Sequence, residues 1–296
     1  MQLLVFLVVY PLLWLVSILP FPIFYAVSDG IFFLIFHIVG YRKKVVMENL
    51  KLTLPNKSEA ELKRIQKDFY RHMCDMFMEM IKTLSISNSE IEKRFALHNL
   101  ELLHDLEKKK NIILVGGHYA NWEWAVHMND KVASDGYGIY KKINNVYFDK
   151  MVKGIRAKWG AQLILTHETV QKVTETEKQG KKAIFGMLSD QSPQMSKAYY
   201  WNKFMGVNVP IFTGAEFMAR KLDLAVVFIK VEKVKRGYYQ ATFSTITESG
   251  ATTVENEITD AIMAKVEAQI KEKPEHYLWT HKRWKHRGKT PMLPKK

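Results

Sequence analysis

Apolar and polar positions change their rhythm along this chain, and the changes mark its elements. Residues 1–40 hold a single acid, Asp29, and no Lys or Arg. Met1 to Leu19 is one apolar run, interrupted by Pro11 and closed by Pro20-Phe21-Pro22; a second, Ile31 to Val39, follows Asp29-Gly30. The first run is long enough for a hydrocarbon core of about 30 Å and predicts a membrane-crossing helix. The second is shorter and predicts an interfacial or re-entrant helix, or the second arm of a tight hairpin. The segment has neither the basic start nor the small-residue cleavage site of a secretory leader, so it is expected to be retained. Leu50 to Pro55 reads as a connector. Helical spacing then takes over: Ser58-Glu59-Ala60-Glu61 is a capping-box signature. Leu62, Ile65, Phe69, Met73, Met76, Met80 and Leu84 follow at intervals of three and four, the apolar stripe of a long helix packed on a core.

From Asn111 onward short β-branched runs alternate with helical stretches, the signature of an α/β sheet. Strands are expected at Ile112 to Val115, Gly138 to Lys141, Gln162 to Leu165, Ala183 to Leu188, Leu224 to Val231 and Tyr238 to Thr245. Helices are expected at Asn121 to Ala133, Asn145 to Lys158, Val170 to Gln179, Gly214 to Lys221 and Val254 to Lys271. No internal repeat or long linker interrupts the series. The organisation predicted is a membrane anchor over residues 1–44 and one α/β domain over 45–296.

Charge narrows the partners. Forty-four Lys and Arg against thirty Asp and Glu give a formal net charge of +14 in 296 residues, which favours an acidic partner: anionic lipid, an acidic protein or nucleic acid. Arg42-Lys43-Lys44 follows the apolar segment directly, and the positive-inside rule puts it and the domain on the cytoplasmic side. Cys74 is the one cysteine; an intrachain disulfide framework is excluded and a reducing compartment fits. There is no G-x-S-x-G nucleophile elbow, and no H-E-x-x-H or clustered cysteine pattern that points to zinc.

The richest stretch chemically is Gly116-Gly117-His118-Tyr119-Ala120-Asn121-Trp122-Glu123. A strand ends in paired glycines and a helix begins at Asn121, a natural N-cap, so His118 lies in a loop at the end of the sheet and Glu123 in the first helical turn. Along one unbroken helix five positions would turn the two side chains about 140° apart. A turn between them instead allows the carboxylate to orient the imidazole and fix its tautomer, which makes the ring a general base for a weakly nucleophilic hydroxyl.

This block resembles the H-x4-D/E motif of the glycerolipid acyltransferase superfamily, and the fuller Gly-His-Tyr-Ala-Asn-Trp-Glu string is similar to the lipid A late acyltransferases. Further blocks occur in that family's order. Gly154-Ile155-Arg156-Ala157-Lys158-Trp159-Gly160 resembles the block whose arginine faces the active site; a guanidinium there binds phosphate or carboxylate through two parallel hydrogen bonds, although Arg156 also reads as an ordinary solvated helix charge. Ser189-Asp190-Gln191-Ser192-Pro193, after a central strand, is similar to the Asp-Gln or Asp-His block. Asp190 there either positions Arg156, contacts the sugar acceptor, or simply makes the turn before Pro193; Gln191 joins it as a substrate-binding candidate. Phe204 to Gly214 resembles the block in which a glycine-containing loop opens a helix, with Thr213 as N-cap or acceptor-phosphate contact. Pro274-Glu275-His276-Tyr277-Leu278-Trp279-Thr280-His281-Lys282-Arg283-Trp284-Lys285 matches the terminal string. Its aromatics and bases suit a membrane interface or single-stranded nucleic acid, and the apolar N-terminus decides for the membrane; Arg283 is its substrate-binding candidate.

The resemblance implies a mixed central sheet flanked by helices, behind a hydrophobic anchor, at the cytoplasmic face of a bacterial inner membrane. It implies an O-acyltransferase in which His118, paired with Glu123, activates a hydroxyl of a phosphorylated glycolipid, a lipid A precursor, against an acyl thioester. The donor would be acyl carrier protein or acyl-CoA, with no metal or redox cofactor. Two other readings stay open: acylation of another membrane glycolipid or aminolipid, and a basic membrane- or nucleic-acid-binding protein that retains an inactive fold.

Overall fold

The computed structural model describes residues 1–289, so residues 290–296 of the expected domain lie outside the described residues. Two apolar helices open the chain, α1 (Gln2–Ile18) and α2 (Phe21–Phe33), and the second continues through a π-helical turn, Leu34–Val39. The sequence pattern favours the first run as the long apolar helix, and the structure reverses this. Among the described residues Phe21–Val39, 19 residues with mean hydropathy 1.8, is the helix long and apolar enough to cross a membrane. The boundary falls at Pro20, which caps α2 without interrupting it. Asp29-Gly30 does not break α2 because its polar groups find partners: Ser28 donates to Asp75 at 2.8 Å and Asp29 accepts from Arg236 at 2.8 Å.

Helix α3 (Lys43–Thr53) takes in most of what reads as a connector, and α4 (Glu59–Lys82) follows. The expected capping box is present: Glu61 N–H donates to Ser58 Oγ at 3.3 Å, and Ser58 N–H to Glu61 Oε2 at 2.9 Å. The α4 stripe is buried from Leu62 to Met76 and half-buried at Met80 and Leu84. A second row on the same helix, His72, Asp75, Glu79 and Lys82, is also buried and polar.

The domain then runs α5 (Asn88–Arg94), β1 (Phe95–His98), α6 (Glu101–Lys109), β2 (Ile112–Gly116), β3 (Asp135–Tyr140), α7 (Val146–Arg156), β4 (Gln162–Leu165), α8 (Thr169–Lys178), β5 (Ala183–Leu188), β6 (Tyr200–Phe204), β7 (Val207–Ile211), α9 (Gly214–Leu222), β8 (Ala225–Lys235), β9 (Tyr238–Thr247) and α10 (Glu257–Glu272). Among the described residues seven strands form one mixed sheet, in the order β1-β9-β8-β2-β5-β3-β4. Neighbours run parallel except β8 and β9. Strand β2 is buried at every position, as a continuous apolar run covered on both faces should be. The stretch from Phe204 to Gly214, read as a loop, is largely the second strand of a β6–β7 hairpin. Its turn residues Met205 and Gly206 take φ of +50° and +79°, the left-handed pair that a tight hairpin requires.

The expected helix from Asn121 to Ala133 winds as a 3₁₀-helix, Trp124–Lys131. Glu123, not Asn121, takes its N-cap position, although Asn121 still accepts from Trp124 N–H at 2.9 Å. Tertiary hydrogen bonds hold the segment: the Trp124 indole donates to the Glu79 carbonyl at 2.9 Å, and Asn129 Nδ2 to the Trp159 carbonyl at 2.7 Å.

Candidate active site

Strands β2 and β5 are parallel neighbours with Gly116 opposite Leu188. His118 and Asp190 each follow that pair by two residues, so the sheet delivers both to the same edge. His118 Nδ1 lies 2.7 Å from Asp190 Oδ1, with the imidazole 19% exposed and the carboxylate 1%. Burial alone would push the Asp190 carboxyl up; the charge and hydrogen bond of His118 outweigh it and hold the group below its ordinary range. An ionised carboxylate can only accept, so the shared proton belongs to Nδ1 and the Nε2 lone pair is free to take another. Gln191 Nε2 sits 3.1 Å from that nitrogen and donates to it. The Trp122 ring stands edge-on to the imidazole at 5.2 Å.

Glu123 is therefore not the partner of the ring, contrary to the pairing expected from the local motif. It accepts from Arg156 instead, from Nε at 2.9 Å and Nη2 at 2.5 Å, and from the Trp122 indole at 3.1 Å. The physical reason lies in sheet order: Asp190 arrives from an adjacent strand end, and Trp122 lies between His118 and Glu123. Arg156, at the last position of α7, is fixed through two parallel hydrogen bonds with Nη1 left over. Burial opposes its charge, but Glu123 raises its pKa further.

His118, Gln191, Glu123 and Arg156 line a cavity of about 700 Å³. One wall is the sheet face carrying Leu114, Gly138, Ile184 and Gly186, and the other carries Ala215 and Met218 of α9. The volume lies within the range of ligand sites, and the lining is mainly apolar. An imidazole nitrogen able to take a proton thus borders a pocket suited to a hydrocarbon chain.

Residues 1–286 match the family of bacterial lipid A biosynthesis acyltransferases. The chain belongs to this family. It is 26% identical to the lipid A biosynthesis lauroyltransferase of Escherichia coli K12, over 93% of this chain and 89% of that protein. It is 22% identical to the lipid A biosynthesis palmitoleoyltransferase of the same strain and to a lipid A biosynthesis acyltransferase of Shigella flexneri, each over 93% of this chain and 89% of the relative. The protein is an acyltransferase, and the family's reaction is acyl transfer in lipid A synthesis.

In this acyltransferase the terminal string braces the site rather than facing a membrane. Tyr277, Trp279, Trp284 and Arg283 are all buried. Ala120 N–H donates to the His276 carbonyl at 3.0 Å, Leu278 N–H to the His118 carbonyl at 3.1 Å, and Tyr119 bridges Tyr277. This grip holds Ala120 at φ +51°, a left-handed value rare for a residue with a side chain. Gly117 lets the loop approach α10: a Cβ there would meet Val266 at 3.1 Å and 3.3 Å. Arg283, expected to touch substrate, is 0% exposed and stacks on Phe204 at 5.1 Å. Its nitrogens make no hydrogen bond among the described residues. Burial lowers its pKa, opposed in part by Tyr277 and Asp190. Thr213 occupies the N-cap position of α9 without a side-chain cap bond, and its neighbours Phe212 and Gly214 line the cavity in its place. His281 accepts from Ser192 N–H at 3.3 Å, and burial brings its pKa down to about 4, a neutral ring fastening the loop after Asp190.

Proposed function

We propose that this acyltransferase moves a fatty acyl group from an acyl thioester, carried by acyl carrier protein, to a hydroxyl of a lipid A precursor, with His118 as general base. The observation that carries the proposal is the Nε2 lone pair, backed by an ionised Asp190 and bordering a mainly apolar cavity of about 700 Å³. The acceptor hydroxyl displaces Gln191 from Nε2 and gives up its proton as its oxygen attacks the thioester carbonyl. Asp190 stabilises the imidazolium formed. The tetrahedral intermediate collapses with cleavage of the C–S bond, the thiolate takes the proton from Nε2, and the ring returns to its starting state. The net charge of +14 suits an anionic donor such as the acidic carrier protein. The test is purified protein supplied with acyl carrier protein or coenzyme A thioesters and a phosphorylated lipid A precursor, followed by mass spectrometry of the lipid. The precursor should gain the mass of the donor's acyl chain. Salt-sensitive nucleic-acid binding without any transfer would support the inactive-fold reading instead.

Arg156 is assigned to an anionic group of the acceptor or donor, and Glu123 to fixing the guanidinium. Arg156→Lys retains charge but loses the planar fork. KM for the phosphorylated acceptor should rise about tenfold or more with kcat changed much less, and Glu123→Gln should do the same more weakly. Equal losses in kcat at saturating substrate would move the pair into the chemical step.

Gly186 and Gly138 sit side by side on β5 and β3, and both line the cavity. A Cβ at Gly186 would meet only the Tyr137 carbonyl oxygen at 3.6 Å, ordinary contact. The protein therefore has room for a side chain there, and what such a side chain would occupy is the cavity. Gly186→Val should leave Tm equal or higher, since glycine weakens a strand, and shift donor preference toward shorter acyl chains in a competition assay. An unchanged preference in a stable variant would place the chain elsewhere.

A further inference from the structure

We infer that neither N-terminal helix crosses the bilayer: α1, held between α4 and α7, and α2, packed along α4, lie against the catalytic domain and enter one leaflet with their outer faces, as a monotopic anchor. The inference rests on helix packing alone and is independent of the proposed chemistry.

Asp29 lies midway along Phe21–Val39 and accepts from Arg236, in the β8–β9 turn, at 2.8 Å and 3.0 Å. Arg236 also reaches Asp75 at 2.7 Å, and Tyr25 donates to Glu79 at 2.7 Å. Phe24, Ser28 and Phe32, the stripe facing α4, are buried. An upright α2 would carry its midpoint, Arg236 and the adjoining Lys235 to the centre of the hydrocarbon. Charges at that depth are very unfavourable unless enclosed by protein or water, yet Asp29 and Arg236 are 54% and 38% exposed. The pair belongs at head-group level, and α2 lies along the surface.

Both ends of α1 are held by the same domain. Lys82 Nζ donates to the Ser17 and Leu19 carbonyls at 2.6 Å each. At the other end Gln2 donates to the Asn144 carbonyl at 3.4 Å, and Phe6 stacks on Tyr147 at 5.6 Å. The helix is about 25 Å long, so if it stood upright the start of α7, with Lys150, and Lys82 would lie on opposite sides of the hydrocarbon core. What α1 leaves outward is apolar: Leu4, Val8, Leu12 and Leu15 are 67%, 66%, 58% and 52% exposed on one helical face. Arg42, Lys43 and Lys44 close the helix pair with cations suited to anionic head groups.

Single-cysteine variants of the full-length protein in sealed membrane vesicles test this, with buried Cys74 as the native background. Gln2→Cys, Tyr41→Cys and Lys235→Cys should all react with a membrane-impermeant maleimide from the same side. Leu12→Cys should stay unlabelled until detergent is added. The inference is overturned if Gln2→Cys or Tyr41→Cys is reached only from the side opposite Lys235→Cys, or if Leu12→Cys reacts freely in intact vesicles. Acyl-transfer activity in each variant confirms that the labelled protein is folded.

Discussion

His118→Ala should lower kcat by about 10²–10⁴, the contribution of a positioned general base, equivalent to roughly 3–5 kcal/mol of barrier. The fold should survive, because the ring sits in a loop whose backbone is held by the His276 and Leu278 contacts and not by the imidazole. The informative comparison is with the two acids. Asp190→Asn keeps a hydrogen-bonding group beside Nδ1 but removes the charge that stabilises the imidazolium, so the acid limb of the kcat/KM profile should move to lower pH as turnover falls. The losses from His118→Ala and Asp190→Asn should not add, because the carboxylate acts through the ring. The loss from Glu123→Gln, which acts through Arg156, should add to that of His118→Ala in kcat/KM. Additive losses for the first pair and coupled losses for His118 with Glu123 would restore the pairing suggested by the local motif. Turnover of purified His118→Ala within tenfold of the native protein would remove the ring from the base role.

The contrast between those acids shows how far sequence carries here. The α/β alternation, the strands at Gln162–Leu165 and Ala183–Leu188 and the capping box at Ser58 were legible because each rests on spacing within a few residues. The mixed sheet was legible only through the resemblance. The partner of His118 was not legible, since Asp190 lies 72 positions away and meets the ring only because β2 and β5 are neighbours. Local spacing nominated Glu123, and sheet order chose otherwise. The terminal string misled differently: interleaved aromatics and bases read as an interface, whereas Trp279 and Trp284 are 0% exposed and stack on each other at 5.8 Å. The polar row on α4 was hidden by the apolar stripe on the same helix, and it leads to the second large effect.

Glu79→Ala should destabilise the protein by about 2–4 kcal/mol, because it strands two buried donors and a half-buried one at about 1–3 kcal/mol each, less what rotating hydroxyls recover. Glu79 is 0% exposed and accepts from Tyr25 at 2.7 Å, Tyr239 at 2.8 Å and Asn121 at 2.7 Å. It therefore joins the anchor helix α2, the sheet and the loop that carries the active site, and its loss should depress both Tm and activity. Glu79→Gln separates packing from charge, since the amide fills the same volume and the tyrosine hydroxyls can turn to accept. Burial pushes the carboxyl up to about 7, with Asp75 adding to the rise, while Lys233 and the Tyr25 and Tyr239 hydrogen bonds oppose it. A folded-state pKa raised above the unfolded value means that the native state binds this proton more tightly. Its stabilising contribution is complete below about pH 4.5 and is lost as pH rises through about 7. The Gln variant cannot titrate, so its stability relative to the native protein should improve from about pH 4.5 to about pH 7 and level off above that in thermal unfolding. A pH-independent difference between the two would mean that Lys233 keeps Glu79 ionised throughout. In that case Glu79→Gln removes a buried charge near Lys233, whose remaining carboxylate partner is Asp75 at 3.7 Å, and the variant should be less stable than the native protein by the same amount at every pH.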